Sequence, residues 1–312
     1  MRLLHLNLKL QNNSYFCYVK KIALLFCLIS NLLNSQIIDN KNGLAFTDQP
    51  FFDSKFIKQN KVKKIKGSYT FKKAGDIMRK TEFKSTYEFN ELGQLIETFE
   101  TRNDDGIKDT IQNLYEYFPS NLLKNHRKKD AGGFGSIHYE RDKQGRIISE
   151  ETHRDVFNEN GDFERTFIIN KESMKYENFP LQLKKTVSNS YDLPYMEEFS
   201  YYNKDGYLLE KEERLKMTSG RVKHVYEYNE KGLISAIRSK ATIDGKFAEE
   251  WFFKYDELGN LTEKHIYKNG IFTTDIQIIY NVDTKLLSSV LTRDVKTNFI
   301  MILRFMDYEF YE

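Results

Sequence analysis

The stretch Tyr226-Glu227-Tyr228-Asn229-Glu230-Lys231-Gly232-Leu233-Ile234 sets two alternating aromatics before an Asn, two polar residues and a Gly. Alternation puts Tyr226 and Tyr228 on one face of a strand. Asn suits the first position of a type I turn. Gly supplies the left-handed residue that closes a three-residue hairpin with a bulge. Leu233 and Ile234 begin the returning strand.

The same phrase recurs at Tyr87–Ile96, Tyr139–Ile148, Ser200–Leu209 and Phe253–Thr262. Its turn residues are Asn90 and Gly93, Asp142 and Gly145, Asn203 and Gly206, Asn229 and Gly232, and Asp256 and Gly259. Degenerate copies span Tyr115–Leu123, with Asn121 at the Gly position, and Ile278–Leu287, with Thr284 there; a weaker copy surrounds Pro180. The last three turn glycines are 26 and 27 residues apart, the mark of a repeat architecture. Between the copies lie Asp105-Gly106, Gly132-Gly133, Asn160-Gly161, Ser219-Gly220, Asp244-Gly245 and Asn269-Gly270. Such pairs are two-residue hairpin signals. Each period therefore reads strand, turn, strand, turn. The expected fold is all-β: an antiparallel meander of tandem β-hairpin repeats of about 26 residues, with about sixteen strands. Twist should bend so many strands into a curled or solenoid-like sheet. The end units should be atypical caps, with residues 301–312 covering the last sheet edge.

On these residues the chain resembles the YD-repeat (Rhs-type) family over roughly residues 66–305. Tyr255-Asp256-Glu257-Leu258-Gly259 carries the likeness most closely, and Tyr228-Asn229, Tyr202-Asn203 and Tyr280-Asn281 replace Asp with Asn. The resemblance implies a repeat shell, which in large members is followed by a processing motif and a toxic enzyme domain. This chain has only 4 Pro and no Asp-Pro-x-Gly element after the repeats, so it is expected to be a short member without toxin activity. Other members are cell-surface or carbohydrate-binding proteins, which is the role the resemblance implies here.

The N-terminus places Lys20 and Lys21 before an apolar run from Ile22 to Leu33, then Asn34, Ser35 and Gln36. That pattern predicts a signal peptide over 1–35, cut near Ser35-Gln36, and the run is too short for a comfortable membrane span. A lead-in segment is expected over 36–65 and the repeat domain over 66–312. The basic run Lys58–Lys66 reads as a solvated linker. Both cysteines, Cys17 and Cys27, lie in the leader, so the mature chain should have neither disulfides nor thiol chemistry. The leader also holds Arg2, Lys9, Lys20 and Lys21; taking these four from 48 basic residues leaves 44 against 45 acidic ones. A near-neutral mature chain lacks the basic field that nucleic acid binding requires.

No catalytic signature emerges. His126, His138, His153, His224 and His265 come from different repeats, have no metal spacing, and read as surface strand histidines. Asn103, Asp105 and Asp109 match part of a calcium loop, but its first and last ligand positions hold Thr101 and Gln112, so a plain turn is expected. The Gly132-Gly133-Phe134-Gly135 stretch lacks a following helix for phosphate binding. The acid pairs, such as Glu197-Glu198, point to opposite faces of a strand. Tyr226, Tyr228, Phe253, Tyr255 and Trp251 are expected in the core. Trp251, Tyr201 and Tyr207 are the candidate ligand-binding aromatics, because flat rings stack on sugars and partner side chains. The expectation is a non-catalytic protein with no cofactor, secreted, periplasmic or at the cell surface, and binding a glycan or an envelope or surface protein. No nucleic acid partner and no membrane span after leader cleavage are expected. The alternative is a structural scaffold or partial shell acting with a partner chain.

Overall fold

The computed structural model describes residues 52–312 except 105–106, 131–132, 159–162 and 242–246. The expected leader and the first part of the lead-in lie outside the described residues, as do the turns expected at Asp105-Gly106, Asn160-Gly161 and Asp244-Gly245. A short helix α1 (Ser54–Gln59) precedes β1 (Val62–Lys72), β2 (Arg79–Phe89), β3 (Leu95–Asp104), β4 (Ile107–Tyr117), β5 (Leu123–Asp130) and β6 (Gly133–Arg141). Then come β7 (Ile147–Phe157), β8 (Phe163–Phe179), β9 (Gln182–Ser188), β10 (Pro194–Tyr202), β11 (Leu208–Leu215) and β12 (Arg221–Tyr228). The chain ends with β13 (Ile234–Ala241), β14 (Glu249–Tyr255), β15 (Leu261–Lys268), β16 (Ile271–Tyr280), β17 (Leu287–Asp294) and β18 (Ile300–Phe310).

Each strand pairs antiparallel with its neighbours in sequence, and β18 pairs with β1 from Lys72↔Ile300 to Val62↔Phe310. The sheet is therefore a closed 18-stranded barrel. This corrects the expected curled or solenoid-like sheet. The segment expected to cap the last edge is itself β18, and it removes the edge by joining β1. The solvated linker expected over the basic run is corrected as well: Lys58 lies in the last turn of α1, and Val62–Lys66 belong to β1. There Val62 and Ile65 are buried, and Lys64 and Lys66 reach Glu88 and Glu309. A bulge between Val62 and Lys64 brings Val62 and Ile65 to one apolar face, which a solvated linker would lack.

The turns of the repeat are built as the residue types require. The Asn229 Oδ1 accepts from the backbone N–H of Lys231 and of Leu233, both at 3.0 Å. Gly232 N–H donates to the Asn229 carbonyl at 2.9 Å, with Gly232 at φ +75. Asn90, Asp142 and Asn203 repeat the two side-chain bonds. Asn121 adopts φ +66 in place of Gly, and the turn after Tyr280 is one residue longer, with Lys285 rather than Thr284 at positive φ. Asn tolerates this region because its short polar side chain bonds locally.

A second device links one repeat to the next. Tyr228 Oη donates to the Leu208 carbonyl at 2.7 Å, Tyr255 to Ile234 at 2.7 Å, Tyr280 to Leu261 at 3.0 Å and Tyr308 to Leu287 at 2.5 Å. Tyr117 reaches Leu95 in the same way, and where Arg141 replaces the Tyr its Nε donates to the Leu123 carbonyl at 3.1 Å. Each bond runs to the residue that starts the returning strand of the preceding repeat.

The face carrying these tyrosines is the lumen. At the end formed by the repeat turns it is filled: Phe56 and Ile57 of α1 pack with Phe89, Ile234, Leu261, Leu287 and Phe305 in one buried cluster. Tyr226, Tyr228, Trp251 and Tyr255 pack against that cluster and Phe253 belongs to it. The opposite face carries a belt of ion pairs between adjacent strands, among them Lys223–Glu210, Arg238–Glu250 and Arg293–Asp275.

Gly93 lies under α1: a Cβ there would stand 2.0 Å from the Ser54 carbonyl oxygen, whereas at Gly206 nothing lies within 4 Å. Both glycines have similar positive φ, +78 and +83, so Gly→Ala carries a comparable backbone cost of about 1–2 kcal/mol at each. Gly93→Ala should lower the melting temperature at least about twice as far as Gly206→Ala, because only the first also displaces α1. Equal losses in thermal melts would mean that α1 does not pack on this turn.

Candidate functional site

Beyond the plugged end the lumen holds a cavity of ≈ 460 Å³. Its two walls differ in chemistry. One is polar, built from Tyr69 of β1, Ser85 and Tyr87 of β2, Glu100 of β3, Asn113 and Tyr115 of β4, and His126 of β5. The other is apolar, built from Ile276 of β16, Leu287 and Val290 of β17, and Met301, Leu303 and Phe305 of β18. The two walls adjoin because β18 closes on β1. Phe52, before α1, also lines the cavity and packs its ring 5.2 Å from Tyr87 and 6.4 Å from Phe305.

The polar wall sets phenols and an imidazole beside the acidic side chain of Glu100. Burial, reinforced by Tyr87 and Glu100, pushes the Tyr69 phenol far above its ordinary range, and its Oη donates to Glu100 Oε1 at 2.5 Å. Burial pushes Tyr87 up to about 12 and raises Tyr115. Burial, with Lys128 nearby, lowers the His126 pKa. The His126 ring lies parallel to Tyr115 at 4.7 Å, with Nε2 3.0 Å from Asn113 Oδ1. A neutral imidazole protonated on Nε2 satisfies that contact. The wall can therefore exchange hydrogen bonds with hydroxyl groups through Ser85, Asn113, Tyr115 and His126, while Glu100 is held by Tyr69.

Further round the barrel the lumen carries paired charge. Glu198 of β10 accepts from Lys185 at 2.9 Å and from Lys211 at 3.0 Å, and Lys211 also reaches Glu213 at 3.0 Å. Burial pushes the Glu198 carboxyl up, but the two lysines outweigh it and hold the pKa below the usual range. His224 Nδ1 lies 2.7 Å from Ser239 Oγ, and burial lowers its pKa. His126 and His224, expected at the surface, thus face the lumen. Strand parity decides this, since each lies two residues from a luminal position of its own strand.

The expected ligand-binding aromatics do not converge. Trp251 sits on the luminal face of β14 with the buried Lys264 Nζ 4.0 Å above its ring. Tyr201 pairs with Glu210 on the outward face of β10. Tyr207 packs on the neighbouring turn, its ring 4.9 Å from Tyr228 and against Gly232. Of the calcium candidates, Asp105 lies outside the described residues, while the backbones of Asn103 and Asp109 belong to the β3–β4 ladder. Among the described residues no group of three or more His, Cys, Asp or Glu could hold a metal ion. The cavity residues Tyr87 and Tyr115 were legible as the first aromatic of the repeated phrase. Glu100, Asn113 and His126 carried no such signal.

No family model and no curated protein matches the chain. Among solved structures it is similar to a porin-like protein from Bacteroides uniformis, at 10% identity and a TM-score of 0.36, covering 80% of this chain and 98% of that one. A porin-like protein from Bacteroides vulgatus matches at 10% identity and a TM-score of 0.32, covering 77% and 96%. The Photorhabdus luminescens Tc holotoxin pore matches at 10% identity and a TM-score of 0.17, covering 70% of this chain and 19% of that one. Scores this low carry no argument, and the barrel rests on its own strand pairing.

His126, His138 and His224 all have pKa values lowered by burial, so the native imidazoles resist protonation while unfolded ones gain a proton near pH 6.5. The stability they contribute is present above pH 6.5 and falls as the pH drops below it. Urea midpoints should therefore decline between pH 7.5 and 5.5, and the His126→Gln, His224→Gln double variant should decline less. Parallel profiles for the two proteins would show that these rings titrate as they do in the unfolded chain.

Proposed function

We propose that this protein is a non-catalytic binding protein of the cell envelope, of YD-repeat type, and that its ligand is a short saccharide held in the luminal cavity. The observation that carries this reading is the two-faced lining. A sugar ring has an apolar C–H face and an edge of hydroxyls. Leu303, Phe305 and Val290 suit the first; Ser85, Asn113, Tyr115 and His126 suit the second. A concave site of ≈ 460 Å³ favours a small ligand over a protein surface.

The outward face supports an aqueous setting. A membrane-spanning barrel presents an apolar band to lipid. Here outward strand positions carry Lys64–Glu88, Arg127–Asp155, Lys184–Glu197 and Arg238–Glu227. Among the described residues no helix is long and apolar enough to cross a membrane, which by itself says nothing of strands. The leader pattern supports export. The scaffold reading has one observation in its favour: among the described residues, the first half of β8 has no partner on its β9 side.

Saturable binding of one saccharide class on a glycan array is the expected outcome for the full chain. Tyr115→Ala and Asn113→Leu should each weaken it by about tenfold or more, while Tyr201→Ala on the outer wall leaves it unchanged. Binding that ignores the cavity variants but requires calcium would move the site to the Asn103–Asp109 turn, and no binding to any saccharide would sink the proposal.

A further inference from the structure

Closure removes the sheet edges everywhere along the paired lengths, but β8 is longer than β9. It pairs with β7 from Phe157↔Phe163 to Ser149↔Ser173, and with β9 only from Ser173↔Ser188 onward. Among the described residues, Phe163–Glu172 therefore has a strand on one side alone. Every residue from Phe163 to Lys171 is exposed, and the run Phe167-Ile168-Ile169 leaves Ile168 and Ile169 more than 60% exposed. Free edges are normally blunted by charge, Pro or shortness, and this one places apolar residues at its centre.

The exposed apolar groups lie on both faces of the strand. Phe163 opposes Phe157 and Ile168 opposes His153 on the outer face, while Phe167 opposes Arg154 on the luminal face. A partner laid on one face would cover only half of them. A strand added in the plane of the sheet flanks both.

We infer that the free half of β8 pairs antiparallel with the same segment of a second copy of this chain, around a twofold axis at Ile168. A twofold perpendicular to the sheet keeps each face continuous, so outward residues must meet outward ones. Two bulges set which residues those are. Ile169 has no opposite number on β7, because His153 opposes Ile168 and Thr152 opposes Asn170; Glu164 is likewise skipped. Thr166, Ile168 and Lys171 therefore share the outer face, and Arg165, Phe167, Asn170 and Glu172 share the luminal one. With Ile168 on the axis, Thr166 opposes Lys171, Phe167 opposes Asn170, and Arg165 opposes Glu172 twice by symmetry. Moving the axis to Phe167 sets Arg165 against Asn170 and leaves Glu172 without a cation. Opposite charges directly across a ladder stabilise it and like charges do not, so the charge pattern selects the register.

Sedimentation of the full chain should give a dimer. In a Cys17→Ser, Cys27→Ser background, Ile168→Cys should cross-link to its own copy on oxidation, since directly opposed Cα atoms lie about 4.5–5.5 Å apart, within disulfide reach. Thr166→Cys and Lys171→Cys should cross-link only when mixed with each other. Arg165→Glu should raise the dimer dissociation constant by about tenfold or more, and adding Glu172→Arg should restore it. A monomer at all concentrations would overturn the inference, even if β8 then captured a strand of another protein. A dimer in which Ile168→Cys fails to cross-link, or in which the charge exchange gives no rescue, would overturn it too.

Discussion

The pairing of β18 with β1 is the constraint on which the remaining structure depends. A serial meander of hairpins leaves its first and last strands unpaired, and the backbone groups there need partners. Joining them makes one side of the sheet an enclosed surface. It also brings β1–β5 next to β16–β18, which creates a cavity whose walls come from opposite ends of the chain. A ring of this many strands is too wide for its own side chains to fill. Phe52 and α1 occupy the repeat-turn end instead, with Phe56 and Ile57 buried among residues from β1, β2, β13, β15, β17 and β18.

Closure in register is maintained by small, repeated polar devices. Each Asn or Asp of the turn phrase satisfies backbone N–H groups that the reversal would otherwise leave free. Tyr117, Tyr228, Tyr255, Tyr280 and Tyr308 each tie their strand to the start of the returning strand one repeat earlier. The replacement of that Tyr by Arg141 keeps the bond to the Leu123 carbonyl, so the acceptor matters more than the ring. Register shifts just before Phe89, Tyr117, Arg141, Tyr202, Tyr228, Tyr255 and Tyr280 recur at the same point of seven hairpins. Bulges of this kind increase local twist, and repeated round the sheet they favour its coiling into a barrel.

Charge is sorted between the faces. Outward ion pairs such as Lys223–Glu210 and Lys254–Glu263 are partly solvent-exposed, and pairs screened by water contribute little to stability. Their consequence is a wettable outer wall. Inside, Glu198 is matched by Lys185 and Lys211, which offsets the cost of burying its charge. The cavity wall departs from this pattern. Its phenols and the buried His126, whose pKa is lowered, supply neutral hydrogen-bonding groups, and its acidic residue Glu100 is held by Tyr69.

The hairpins were legible in the sequence because turn chemistry is local. Asn229 and Gly232 specify their reversal with atoms no more than four residues apart, and alternation then assigns Tyr226 and Tyr228 to one face. The core role of Phe253 followed from the same parity. Closure was not legible, since nothing within residues 301–312 says that their partner is β1 rather than solvent. The basic run at Lys58–Lys66 concealed a strand because Val62 and Ile65 gain a buried face only once β2 and β18 flank them. His126 and Asn113 look like ordinary strand residues until strands distant in sequence give them an interior to face. The sequence by itself determined the repeat, its turns and the two faces of each strand, all set by short-range sterics and hydrogen bonding. Only the tertiary structure decided that the sheet closes, which face becomes the lumen, and where β8 outruns β9, because those outcomes depend on contacts between residues far apart in the chain.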